Sequence, residues 1–454
     1  MVARGEETSS VHRGGAPVET KLHRIAEKAR KEPMFKFTSL YHLMNEELLR
    51  GCFKQLRKDA VAGIDKMTKD KYAENLDANL SDLIDRLHRM AYKPQPVRRK
   101  YIPKPGSTKQ RPLGIPSLED KLVQAGLVRI LESVYEQDFI YDSYGFRPAR
   151  SCHDALKALS ETVENNPVNH IAEADIKGFF DNVNQEWLMK FLAYRIADKR
   201  IHRMVKRFLR AGVYADGNVM ISDEGTPQGG VISPLLANIY LHYALDLWFE
   251  KAYRKSCTGY ARLIRYADDF VVCFQYKTDA ERFHEELGKR LGKFGLEVEP
   301  TKTKVMEFGR FAVQHAKNKG VKAETFDFLG LTHYCGTKKN GKGFRMKRVT
   351  SRKKFIAKLK AFKDWLKKAR AMKTKDLWET AKAKLRGHYN YYGVTDNLRG
   401  ITRFGKEVVT LLFKWLNRRG KRNSLNWERF NEMLKRFPLP KPRIRVSMFG
   451  FSVN

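Results

Sequence analysis

Acidic side chains are scarce in this chain of 454 residues, where 51 Asp and Glu face 88 Lys and Arg for a formal net charge of +37. Self-repulsion at that charge works against a compact fold unless a polyanion shares the field, so nucleic acid is the expected partner. Cysteine is also sparse. Cys52, Cys152, Cys257, Cys273 and Cys335 include no closely spaced pair, which excludes a zinc ribbon or a Cys-x-x-Cys redox site and points to reduced thiols. The 12 histidines form no metal-ligating cluster, and no metal-dependent nuclease module is visible. No apolar run reaches the roughly 18 residues needed to span a bilayer. The N-terminus shows neither a secretory peptide nor a lipidation signal. No membrane role is expected, and the expected location is cytoplasmic, in a nucleoid-associated ribonucleoprotein. Repeats and low-complexity tracts are missing, while 42% hydrophobic residues exclude wholesale disorder.

What is present is most telling around Asp268-Asp269. Leu263-Ile264 precede the pair and Phe270-Val271-Val272-Cys273-Phe274 follow it, and such apolar runs are expected to be buried strands. The two carboxylates then occupy the turn of a short hairpin. Like charges held beside a core cost several kcal/mol unless a cation neutralises them. Hard oxygen ligands point to Mg2+ rather than zinc. A second strand, Ile171 to Ile176, carries Asp175 near its end. Two-metal nucleotidyl transfer needs carboxylates that bridge ions about 3.5–4 Å apart. Asp175 and Asp268 can converge only if their strands are neighbours, as in an antiparallel sheet with helices behind it.

Along the chain, residues 1 to about 18 form a polar tail and Glu19 to Lys31 a charged helix. A hairpin is expected from Val97–Pro103 and Lys109–Ile115, and helices over 117–136 and 151–165. Strands around Leu296–Val298 and Lys304–Phe308, with the segment Phe326–His333, are expected to close the central sheet. From residue 346 onward 30 Lys and Arg face seven Asp and Glu, so this quarter holds +23 of the net charge. Phe355, Leu359, Phe362 and Leu366 mark one helix face there, with Lys358, Lys363 and Lys367 among the basic residues around it. Together with Trp378, Tyr389, Tyr391 and Tyr392, this basic helical region is expected to clamp nucleic acid.

Three blocks occur in a fixed order: Asp175-Ile176-Lys177-Gly178-Phe179-Phe180, Gly225-Thr226-Pro227-Gln228-Gly229-Gly230 through Leu235, and Tyr266-Ala267-Asp268-Asp269. Ile102-Pro103-Lys104, Arg111 through Pro116, Lys302-Thr303, Phe328-Leu329-Gly330 and Leu385 through Tyr392 flank them. In order and spacing the set resembles group II intron-encoded reverse transcriptases over about 300 residues, with the last block similar to their maturase segment. The resemblance implies an α+β right-hand polymerase. Residues 1–33 would be a tail and helix, 34–345 fingers and palm with an antiparallel sheet, and 346–454 a helical thumb and maturase domain with a basic extension. It implies Asp175, Asp268 and Asp269 as catalytic carboxylates. Two Mg2+ would be held by them and by the Ile176 carbonyl.

The same resemblance places Lys104 and Arg111 on the triphosphate and Phe180 as a gate against the ribose 2′-hydroxyl. Gln228 and Tyr266 would lie at the incoming deoxynucleoside triphosphate, and Lys302 beside the departing pyrophosphate. Lys358, Lys363 and Lys367 are the candidate RNA contacts. Expected partners are an RNA template with a DNA primer and the host group II intron RNA. The departure from the family pattern is the missing His-Asn-His nuclease. Two alternatives stay open: a related reverse transcriptase recruited to defence or DNA repair, and a polymerase-dead RNA-binding splicing factor.

Overall fold

The alternation of the Asp-Asp hairpin decides the centre of the molecule. Phe270, Val272 and Phe274 point to one face of the sheet, Val271 and Cys273 to the other, and all five are buried. The computed structural model describes residues 16–103, 110–215, 217–220, 225, 229–338, 340–418 and 425–449. Among the described residues there are eleven strands: β1 (Val97–Pro103), β2 (Gln110–Ile115), β3 (His170–Ala174), β4 (Val213–Ala215), β5 (Asn218–Met220), β6 (Ala261–Tyr266), β7 (Asp269–Phe274), β8 (Lys304–Glu307), β9 (Thr325–Phe328), β10 (Leu331–Thr337) and β11 (Phe344–Thr350). They make three sheets, ordered β2-β1-β4-β5, β6-β7-β3-β8 and β11-β10-β9. The central sheet is antiparallel throughout, with β3 paired to β7 on one side and β8 on the other.

Each face of that sheet belongs to its own core. Leu263, Phe270, Val272 and Phe274 pack with Tyr240, Phe283, Leu287 and the helix Leu118–Tyr135. Ile171, Ile264, Val271 and Cys273 pack with Leu156 and Leu159 of the helix Cys152–Asn165, and with residues of the C-terminal helices such as Phe362, Leu385 and Leu412. Those helices are Arg352–Lys368, Thr374–Tyr392, Leu398–Asn417 and Trp427–Arg436. The first is capped by Ser351, whose side chain accepts from the Lys354 N–H. The chain is thus α+β, with a mixed N-terminal part and a helical C-terminal part. No helix among the described residues is long and apolar enough to cross a membrane.

Three expectations change. Leu296–Val298 forms no strand; only Val298 bridges, to Ile176. Phe326–His333 is not one strand closing the central sheet. Leu329 and Gly330 take φ of 50° and 77°, a turn that folds β10 back on β9, and both join β11 in a separate sheet. Trp378, Tyr389 and Tyr392 are buried and do not face nucleic acid. They share the inward stripe of their helix with Ala381 and Leu385, so the helical period that makes them visible also carries them into the core. The strand β11 runs through residue 346, and the helical region starts at Arg352.

Candidate active site

Asp175 follows directly on β3, whose last residue Ala174 is opposite Phe270 of β7. Asp268 lies in the two-residue turn that joins β6 to β7, closed by the pairing of Tyr266 with Asp269. The three carboxylates therefore gather at one end of two adjacent strands. Burial raises the pKa of Asp268 above the usual carboxylate range and its own backbone N–H draws it back. The neighbouring Asp175 raises it further, while Arg111 and Arg265 lower it. Asp175 and Asp268 thus feel each other's charge. Asp269 is exposed at the start of β7.

The sheet extends past β3 by a single bridge. The Glu299 N–H donates to the Asp175 carbonyl at 2.8 Å and the Lys177 N–H donates to the Glu297 carbonyl at 2.9 Å. The Ile176 carbonyl takes no part in either bond. Among the described residues no three His, Cys, Asp or Glu side chains form a complete metal cage. An oxygen-only, incomplete set of this kind fits a hard divalent cation that keeps waters and substrate phosphates as its remaining ligands.

The other candidates distribute unevenly. Arg111 is exposed on β2, opposite Ile102, and its charge reaches Asp268. Phe180 is half-buried in the turn Phe179–Asp181, its ring 5.3 Å from that of Phe179 in an edge contact. Tyr266 ends β6, partly buried against the second core and close enough to Cys152 to feel its charge. Lys104 and Gln228 lie outside the described residues, as does the side chain of Lys302. The glycines flanking Gln228 are placed. A Cβ on Gly225 would come within 2.9 Å of the Asp181 carbonyl and one on Gly229 within 2.3 Å of the Gly114 carbonyl. They seat their loop's ends on the Phe180 turn and on β2. Lys358, Lys363 and Lys367 are exposed on the helix Arg352–Lys368, and Lys367 has Asp364 at 3.9 Å.

Two residues of the site were not singled out from the sequence. Glu173 shares a face of β3 with Asp175 by simple alternation, a signal that was there to be used. Burial pushes its carboxyl up to about 7, with Lys304 opposing and Asp327, Asp269 and Asp175 adding to the rise. Arg265 is fully buried and pairs with Asp246, a contact between distant segments that no local pattern announces.

An antiparallel sheet that carries carboxylates at the end of a central strand and on the adjoining hairpin, with helices behind it, is the palm of a nucleic-acid polymerase. Residues 102–333, about half of the chain, match the family described as reverse transcriptase (RNA-dependent DNA polymerase), and the chain belongs to that family. It is 40% identical over 225 residues to the group II intron-encoded protein LtrA of Lactococcus lactis subsp. cremoris, covering 49% of this chain and 37% of that protein. It is 35% identical over 276 residues to protein YkfC of Escherichia coli strain K12, covering 54% of this chain and 71% of YkfC. An uncharacterized 91 kDa protein in the cob intron of Schizosaccharomyces pombe is 35% identical over 212 residues, covering 46% of this chain and 25% of that protein. The match to LtrA therefore spans little more than a third of LtrA's length.

Proposed function

We propose that this chain is an RNA-directed DNA polymerase that extends a DNA primer along an RNA template, and that it also binds a group II intron RNA as a maturase. The observation that carries the polymerase reading is the meeting of Asp175 and Asp268 across neighbouring strands, each within the other's electrostatic reach. Two bound Mg2+ ions would activate the primer 3′-hydroxyl and neutralise the leaving pyrophosphate. Asp175 and Asp268 would hold them, with Asp269 and the Ile176 carbonyl as further oxygen donors. Arg111, together with Lys104, orients the triphosphate by fixed positive charge. Phe180 excludes a ribose 2′-hydroxyl, Gln228 and Tyr266 line the nucleotide, and Lys302 stands by the pyrophosphate.

The division into fingers and palm up to about residue 345 and a thumb beyond it belongs to the same proposal, with Lys358, Lys363 and Lys367 gripping RNA. Similarity to an intron-encoded protein and the +23 carried by the C-terminal quarter support the maturase part. Primer extension on an RNA template, with and without Mg2+, tests the reading. Asp268→Asn removes one charge from the site and is expected to cut synthesis by a factor of about a thousand, roughly 4 kcal/mol of barrier, with RNA affinity unchanged within a few-fold. Near-normal extension by that variant refutes the assignment.

A further inference from the structure

Arg265 precedes Tyr266 and is wholly buried. Each of its five N–H donors is engaged. The Nε donates to Asp246 Oδ1 at 2.7 Å and Nη2 donates to Asp246 Oδ2 at 2.5 Å and to Ser143 Oγ at 2.8 Å. Nη1 donates to Asn238 Oδ1 at 3.1 Å and to the Ala267 carbonyl at 2.9 Å. Asn238 in turn donates from Nδ2 to the Gly145 carbonyl at 2.7 Å, and the backbone at Asp142 to Tyr144 exchanges bonds of 2.9 Å with Arg265. Asp246, also fully buried, ends a π-helical turn, His242–Asp246, in a helix that is otherwise regular at Ser233–Leu241. Such widened turns recur where a side chain must be re-aimed for function.

Buried ion pairs are poor devices for stability alone, since apolar residues of similar volume often serve as well. This one has a more specific target. Its single bond to the hairpin turn ends on Ala267, a non-glycine residue at φ 58°. A side chain in that conformation persists only where its surroundings over-determine it. The next residue is Asp268.

We propose that Arg265 and Asn238 form a buried positioning unit that holds Ala267 in its left-handed conformation and so aims the Asp268 carboxylate. The proposal rests on the polymerase reading above. Arg265 touches neither substrate nor metal in this scheme; it acts through the turn. Loss of its fork leaves the turn free to relax by a fraction of an ångström or more, and misplacements of about 1 Å can cost about a hundredfold in rate.

Single-turnover extension of a DNA primer on an RNA template by the full chain, with saturating Mg2+ and deoxynucleotide, reads the effect. Arg265→Lys is expected to slow the maximal rate by about thirty- to a hundredfold, with primer–template Kd within twofold. Glycine takes positive φ without strain, so adding Ala267→Gly to Arg265→Lys is expected to restore about tenfold of the lost rate. A role in stability alone predicts no such rescue. A folded Arg265→Lys protein that extends at the wild-type rate, or a loss that Ala267→Gly does not touch, overturns the proposal. Should Arg265→Lys not fold, Asn238→Ala leaves the ion pair whole and removes both Asn238 bonds. It is expected to slow extension about tenfold at unchanged Kd, and an unaltered rate overturns the proposal equally. Failure of the wild-type chain to extend any primer refutes the polymerase reading itself, and the positioning role with it.

Discussion

Gly145 offers a test of how tightly the Asp268-Asp269 hairpin is held. A Cβ built there would lie 2.2 Å from the Ala267 nitrogen, 2.8 Å from the Tyr266 carbonyl carbon and 3.0 Å from the Ala267 Cα. All three are backbone atoms. Ordinary contact starts near 3.4 Å, so the turn or the Tyr144-Gly145 segment must shift by about 1 Å, more than rotamer changes can absorb. The Gly145 carbonyl is held by Asn238, whose Nδ2 donates to it at 2.7 Å, and the Tyr144 N–H donates to the Arg265 carbonyl at 2.9 Å. The displacement therefore falls on Ala267-Asp268. A 1 Å misplacement of a reacting group is worth about a hundredfold, roughly 2.7 kcal/mol of barrier, against an overpacking cost to stability of about 1–3 kcal/mol. Gly145→Ala should thus fold and bind template–primer near normally while extending it about a hundred times more slowly in single turnover. Gly288→Ala is the control: it sits in the helix Lys277–Gly292 with nothing within 4 Å of its would-be Cβ. It should gain about 0.5–1 kcal/mol of stability with no change in rate. A folded Gly145→Ala protein extending within threefold of wild type would show that the hairpin tolerates displacement and that the reasoning is wrong.

On the proposed gate role, Phe180→Ala, which opens the half-buried turn Phe179–Asp181, should raise ribonucleotide use relative to deoxyribonucleotide, read as the ratio of kcat/KM values; an unmoved ratio makes Phe180 a packing residue only. Neutralising the exposed Lys358, Lys363 and Lys367 together should flatten the log–log salt dependence of RNA binding by about two to three units, and an unchanged slope would place the grip elsewhere. Glu173 has its folded pKa raised to about 7, so the fold binds a proton that the unfolded chain releases near 4.5, and stability attributable to this group falls as pH rises through that window. Discounted for partial exposure, Glu173→Gln should be about 1–2 kcal/mol more stable than wild type near pH 8 in chelator, with the difference gone near pH 4. Chemical denaturation at the two pH values decides it, and a pH-independent difference would contradict the burial argument.

Much of the palm was legible because its signals are local. The apolar runs around Asp268-Asp269 gave β6 and β7, and the strand carrying Asp175 was found to within a residue or two. That β3 and β7 are neighbours had to be inferred from the chemistry the carboxylates require, and the pairing agrees. Non-local pairings carried no such signal. Nothing in Phe326 to His333 says that β9 and β10 leave the central sheet for β11, because the partner strand starts 11 residues after His333. Helical spacing told which residues of the C-terminal helices share a face, but not whether that face meets protein or nucleic acid. Trp378 and Tyr389, expected at nucleic acid on that spacing, are buried in the core instead. Arg265 looked like one more basic residue in a basic chain until its distant partners Asp246, Asn238 and Ser143 were seen around it.

The pairing of β3 with β7, Ala174 opposite Phe270, also acts as a ruler. Adjacent strands in a ladder lie about 4.8 Å apart, close to the spacing of about 3.5–4 Å that the two metal ions proposed above would require. The gauge of the site is thereby written in main-chain hydrogen bonds, which every residue supplies equally. Side chains of the two flanking cores can be exchanged over long divergence without altering it. What it does not tolerate is a change of phase: a one-residue slip of β3 would turn Asp175 to the opposite face of the sheet. Sequence freedom in this palm should therefore be wide in the identity of its apolar residues and close to nil in their number between Ile171 and Asp175.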